Sequence, residues 1–275
     1  MRLTALTALA VLLLSFSTIR KTTWVAIGDS ITYLNEHPNE TGNRVKKGYM
    51  TRVAEKLPFF TYFNQGHNGW TSGGIAEKFD ELNMETGDVY SIFLGTNDWW
   101  QGRPIGTLED YRNNRDNKTI NSSFGIIIDK IRRLNPQAKI ILITPMQRMD
   151  FVSLFNYTNN AWGSYKEKDG QTLESVAAAI KAIGDYEHIP VIDLYHEPSF
   201  SIEHAVKFKR LKNPQTGKYK KYRYPASNDI PFNPATDEYP YPKKAVRMTY
   251  DALHPSDKGN EVIANKLAAL LGSLF

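Results

Sequence analysis

No cysteine occurs among the 275 residues, which excludes disulfides, thiolate nucleophiles and cysteine-ligated zinc whatever compartment the chain works in. The His-Glu-x-x-His pattern that sets two zinc ligands on one helical face is missing. So is the Gly-x-Ser-x-Gly elbow that presents the serine of an α/β-hydrolase. No internal repeat or low-complexity linker interrupts the chain. The sequence therefore implies no metal and no cofactor, and leaves hydroxyls and carboxylates as candidate nucleophiles.

Long apolar runs are scarce too. The stretch Leu3 to Phe16 falls short of the roughly 20 residues a spanning helix needs. With Arg2 before it and small residues at Ser15 and Ser17, residues 1–17 fit a signal peptide cleaved after Ser17. The mature protein is then expected to be secreted or periplasmic, without stable membrane insertion once the leader is gone. An uncleaved N-terminal anchor fits the same residues. No cysteine follows to carry a lipid.

What is present suits one globular domain over residues 18–275: 41% of residues are hydrophobic and 23% charged, with a formal charge of +5. Much of the basic excess lies between Lys207 and Arg223, interleaved with Phe208, Tyr219 and Tyr222. That interleaving suits an acidic polysaccharide or a nucleic acid, but a solvated surface hairpin explains it more simply. No nucleic-acid partner is expected, and the oligomeric state is not legible.

Short apolar runs at Thr23–Ile27, Phe59–Phe63, Val89–Leu94, Lys139–Thr144 and Pro190–Leu194 read as strands. They alternate with helical patterns at Val45–Leu57, Gly74–Leu82, Ile120–Leu134, Thr172–Tyr186 and Asn260–Leu271. Alternation of this kind predicts an α/β fold: a three-layer α/β/α sandwich around a mostly parallel, flavodoxin-like five-stranded sheet. Two long connections, 145–170 and 198–248, are expected to overhang the site and to govern substrate choice.

Chemistry-bearing residues fall just past three strand ends, where open α/β sheets bind ligands. Ser30 follows the first strand, Gly66 the second and Asn97 the third. Ser30 is the candidate nucleophile, although a helix N-cap serine has the same signature. His254 is the candidate general base because imidazole titrates near neutrality. Asp251, three residues earlier, would fix the ring's tautomer. A surface Asp-x-x-His near a helix start is the plainer alternative. Trp70, Trp99 and Trp100 lie close to these blocks and suit sugar rings or ordinary packing equally well. Arg148, just after the fourth strand, is a candidate to meet an acidic or polyhydroxylated substrate, but a solvated arginine explains it more simply.

Together, Gly28-Asp29-Ser30, Asn64-Gln65-Gly66, Gly95-Thr96-Asn97-Asp98 and Asp251-Ala252-Leu253-His254 resemble the conserved blocks of the SGNH hydrolases, also called the GDSL esterases, from about Trp24 to the C-terminus. The resemblance implies a carboxylic ester hydrolase with a Ser30, His254 and Asp251 triad. It also implies an oxyanion hole made by the Ser30 N–H, the Gly66 N–H and the Asn97 amide, and loop-bracing roles for Asp29 and Asp98 rather than a glycosidase carboxylate pair. Export and exposed aromatics favour an acetyl group on a small-molecule or polysaccharide ester as substrate. A lipase, lysophospholipase or thioesterase of the same family is the alternative, and a carbohydrate-binding protein on this fold is the non-catalytic one.

Overall fold

A computed structural model describes residues 21–113 and 116–275. The leader expected over residues 1–17 lies outside the described residues. Five parallel strands form the central sheet: β1 (Thr22–Gly28), β2 (Phe60–Gly66), β3 (Val89–Phe93), β4 (Lys139–Ile143) and β7 (Val191–Ile192). Their order is β2-β1-β3-β4-β7, the flavodoxin-like arrangement. Two small antiparallel ribbons stand apart from it. One pairs β5 (Phe151–Val152) with β6 (Asn160–Ala161), the other β8 (Lys209–Lys212) with β9 (Tyr219–Tyr222).

Alternation along the inner strands assigns each side chain to one face. Val25, Ile27, Tyr90, Ile92, Ile140 and Leu142 point to one side, packing against the helices Ser72–Lys78, Ile120–Leu134 and Leu173–Glu187. Trp24, Ala26, Val89, Phe93, Ile141 and Ile143 point to the other, against the helices Tyr49–Lys56 and Asp257–Leu274. Both faces are thereby buried, which is why these strands read as continuous apolar runs. The helices begin where their capping residues dictate. Thr119 and Thr172 each build a capping box with the serine three residues on, and Ser256 caps the last helix.

The two long connections divide the work unequally. Segment 145–170 supplies Arg148, Phe151, Asn159 and Ala161 to the cavity described below. Segment 198–248 supplies none of the residues around that cavity, contrary to the expectation that both overhang it. Instead it buttresses the first: Lys209 forms a buried ion pair with Asp150 at 2.5 Å, and the Tyr241 hydroxyl donates to the Asp150 carbonyl.

Candidate active site

β1 delivers the chain to Asp29, whose side chain accepts from the Ile31 N–H at 3.0 Å and caps the short helix Ser30–Tyr33. The cap is therefore Asp29, not Ser30, and the Ser30 hydroxyl is free for another partner. That partner is His254: its Nε2 lies 2.9 Å from Ser30 Oγ although the two residues are 224 positions apart. On the other side of the ring, Nδ1 lies 2.7 Å from Asp251 Oδ2. Asp251 Oδ1 accepts the Leu253 N–H at 3.1 Å and the His254 N–H at 2.7 Å. A carboxylate acceptor at Nδ1 places the proton there and leaves Nε2 to accept from the serine.

The backbone bends to permit this. Ala252 takes φ 73°, a left-handed conformation that costs an L-residue about 1–2 kcal/mol and lets two successive N–H groups turn back onto one carboxylate oxygen. Tyr250 stacks on the imidazole at 5.8 Å and Phe151 meets it edge-on at 5.6 Å. Ser30, Asp251 and His254 are all buried.

Above Ser30 and His254 lies a cavity of about 130 Å³, walled by Asn68, Asn97, Asn159, Trp100, Phe151 and Leu253, with Gly69, Ala161 and Arg148 also bordering it. The Asn97 amide donates to the Trp70 carbonyl at 3.0 Å, which fixes its orientation at the wall. A second space of about 170 Å³ adjoins the far side of His254, bordered by Leu34, Leu154, Phe155 and Tyr250. A hydroxyl, an imidazole and a carboxylate in line beside a polar-walled cavity can carry out acyl transfer to water.

Residues 26–262 match the family model of the GDSL-like Lipase/Acylhydrolase family. The chain belongs to this family. A solved structure described as a possible lipase from Chitinophaga pinensis DSM 2588 is 62% identical, over 92% of this chain and 99% of that one, with a TM-score of 0.91. A Lactobacillus plantarum protein (20% identity, 93% of this chain and 98% of that one, TM-score 0.60) shares the fold, as does an acetyl xylan esterase (18%, 90% and 98%, 0.54). No curated protein matches the sequence. The GDSL-like acylhydrolase is a carboxylic ester hydrolase.

Several residues of the hydrolase sit elsewhere than the sequence suggests. The Gly66 N–H is held by Asn64 Oδ1 at 2.9 Å, and a Cβ at Gly66 would lie 2.1 Å from the Tyr33 nitrogen. That glycine exists to let the Ser30–Tyr33 helix pack against β2, and its N–H is not turned to the cavity. Gly69 borders the cavity instead, at φ 76° with open space where a Cβ would stand. The Asn68-Gly69 pair, a common turn signal, was the clue available in the sequence.

Trp99 is wholly buried, with Nε1 donating to the Gln171 carbonyl at 3.0 Å. Trp70 stacks on His67 at 4.5 Å and contributes its carbonyl, not its indole, to the site. Only Trp100 of the three tryptophans borders the cavity. Arg148 is 2% exposed rather than solvated, donating to the carbonyls of Ala161 at 3.2 Å and Trp162 at 2.8 Å beneath the rings of Trp99 and Trp100. Burial pushes its guanidinium down to about 10. It braces the 145–170 segment internally and against Trp99 and Trp100 while bordering the cavity. Asp98, also buried, accepts the Ser72 N–H and hydroxyl and braces the loop before the Ser72–Lys78 helix. Among the described residues no three His, Asp or Glu side chains gather in a way that could hold a metal ion.

Burial raises the Asp29 carboxyl to about 6, against the opposing pull of the Ile31 N–H and of His254. A carboxyl whose folded value lies above its unfolded value of 3.8 holds its proton more tightly in the folded state, so stability falls as pH rises from about 4 to 6. Asn caps helices as well as Asp and carries no charge. Asp29→Asn should therefore raise the unfolding free energy at pH 8 by up to about 3 kcal/mol, the gain shrinking toward zero below pH 4. Urea unfolding of both proteins at the two pH values measures it, and an equal gain at both would refute the titration.

Proposed function

We propose that this hydrolase is a secreted serine esterase that removes a small acyl group, most readily acetyl, from a carbohydrate. Ser30 attacks the ester carbonyl while His254 Nε2 takes its proton, and Asp251 holds the ring and stabilises the imidazolium. The tetrahedral oxygen is met by the Ser30 N–H at the helix start, by the Asn97 amide and by the Gly69 N–H, each donor worth about 2.7–4 kcal/mol in the transition state. Collapse returns the proton to the leaving alcohol. Water then repeats the sequence on the acyl-enzyme.

The supporting observation is the cavity on Ser30. Its volume of about 130 Å³ is close to that of an engineered cavity of about 150 Å³ that takes one benzene ring, and three asparagine side chains with one indole line it. Amides and a flat aromatic face suit a hydroxylated ring, and the volume suits a short acyl group. A longer acyl chain is the second reading, favoured by the description of the 62% identical relative and by Phe155, 69% exposed beside the space beyond His254.

A p-nitrophenyl ester series separates the two. An acetyl specialist should lose at least tenfold in kcat/KM from acetate to hexanoate, since the pocket cannot take the added methylenes without overpacking, at about 1–3 kcal/mol each time. A flat or rising profile to decanoate favours the longer chain. Acetate release from acetylated xylan, acetylated pectin or acetylated sugars tests the alcohol side directly. For export, the protein recovered outside the cytoplasm should begin at Thr18. Finding it membrane-bound with Met1 retained would establish an anchor instead.

A further inference from the structure

The β8–β9 hairpin carries more positive charge than its own structure uses. Lys209 is paired with Asp150, and Arg210 with Glu238. Beside them opens a groove of about 840 Å³ whose walls bear Lys207, Lys221, Arg223 and Arg247, with Phe208 and Tyr224 between them. Among the described residues none of these four cations forms an ion pair, and each is exposed. Four like charges against the single carboxylate of Glu203 leave the concavity with a net positive potential that attracts an outside anion.

The groove is joined to the active site through the backbone. Val206 bridges to Val246, and the Thr249 N–H donates to the Ala205 carbonyl at 2.9 Å. The segment that leaves the groove at Arg247 becomes the loop bearing Asp251 and His254. Four residue steps separate Arg247 from Asp251, so their Cα atoms are at most about 14 Å apart. The groove and the catalytic loop are thus neighbours along one stretch of chain.

We propose that this groove binds a carboxylate-bearing polysaccharide and presents it to Ser30, so that the ester cleaved is carried on a uronate-containing chain. The choice of a saccharide rests on the reading of the site as a carbohydrate esterase; the positive groove stands on its own geometry. The lining favours a polycarboxylate over a nucleic acid. Lys221 Nζ sits 5.0 Å from the centre of the Phe208 ring and covers it, leaving that face closed to a base. Glu203, also on the groove wall, can accept sugar hydroxyls.

The test is affinity electrophoresis of the full chain at low salt in gels containing polygalacturonate, neutral xylan, or neither. The expected result is retardation by polygalacturonate, abolished by high salt, with none by xylan. Lys221→Glu and Arg223→Glu, each checked for an unchanged circular dichroism spectrum, should each weaken binding on the order of tenfold, since a reversal removes one attraction and adds one repulsion. Lys139→Glu, at the amino end of β4 and away from the groove, changes net charge equally and should bind like wild type. No retardation, retardation indifferent to the groove reversals, or stronger binding to single-stranded DNA or to anionic phospholipid vesicles would each overturn the proposal. Binding is read without turnover. Retained polygalacturonate affinity with no acetate released from any saccharide would sink the carbohydrate-esterase reading and leave the groove intact.

Discussion

Ser30→Ala is expected to lower kcat/KM on p-nitrophenyl acetate by about five to six orders of magnitude while leaving the fold in place. Ser30 Oγ has one hydrogen bond, to His254 Nε2 at 2.9 Å, and the helix it opens is capped by Asp29, so its removal breaks no structural contact beyond the one it was built for. Stability should change by less than about 1 kcal/mol. The rate should collapse because the acyl-enzyme can no longer form, and removing the nucleophile of such a triad costs about as much as removing the whole of it. A residual rate above water is still expected, since the variant keeps the donors proposed for the oxyanion, the Asn97 amide, the Gly69 N–H and the helix-start N–H. A serine-directed fluorophosphonate should label wild type stoichiometrically and the variant not at all. Persistent labelling with retained activity would mean that another hydroxyl does the chemistry.

Why Ser30 was legible in the sequence, and some of its neighbours were not, follows from what each signal encodes. A strand end is written locally, in the switch from an apolar run to Gly-Asp-Ser. Three such ends on one rim pointed to the residues at Ser30 and Asn97, as well as to the five-stranded sheet. The glycine bordering the cavity was misread by three positions because Gly66 and Gly69 are equally plain as letters. Only their packing differs, one against the Tyr33 backbone and the other against open space. Burial of Trp99 and Arg148 depends on where the Leu173–Glu187 helix and the 145–170 segment settle, which no local pattern records. The spacing Asp-x-x-His was itself less specific than it looks. Asp193 and His196 repeat it and make the same contact at 2.8 Å, but they lie half-exposed at the end of the edge strand, beside Lys181 and Glu174. Only the long-range approach of a serine distinguishes the pair at Asp251 and His254.

Asp251→Asn should be nearly as damaging to turnover as loss of the nucleophile, for a reason visible in the hydrogen bonds. Asp251 Oδ1 must accept two backbone N–H groups, from Leu253 and His254, so an asparagine there keeps its carbonyl oxygen on that side and turns its amide NH₂ toward the imidazole. Nδ1 then becomes an acceptor and the ring proton moves to Nε2. An Nε2–H cannot take the proton of Ser30, and the imidazolium that forms during attack loses its counter-charge. The expected loss is about 10⁴-fold in kcat with KM little changed, and with Tm close to wild type because both backbone bonds survive. Asp251→Ala separates geometry from tautomer. It abandons the two N–H groups in a buried loop that already holds Ala252 in a left-handed conformation, so it should lower stability by about 1–3 kcal/mol, yet it leaves the ring free to adopt the productive tautomer. Alanine should therefore be the less stable protein and the more active one per folded molecule. Asparagine within tenfold of wild type in kcat would show that Asp251 shapes the loop without governing the proton on His254.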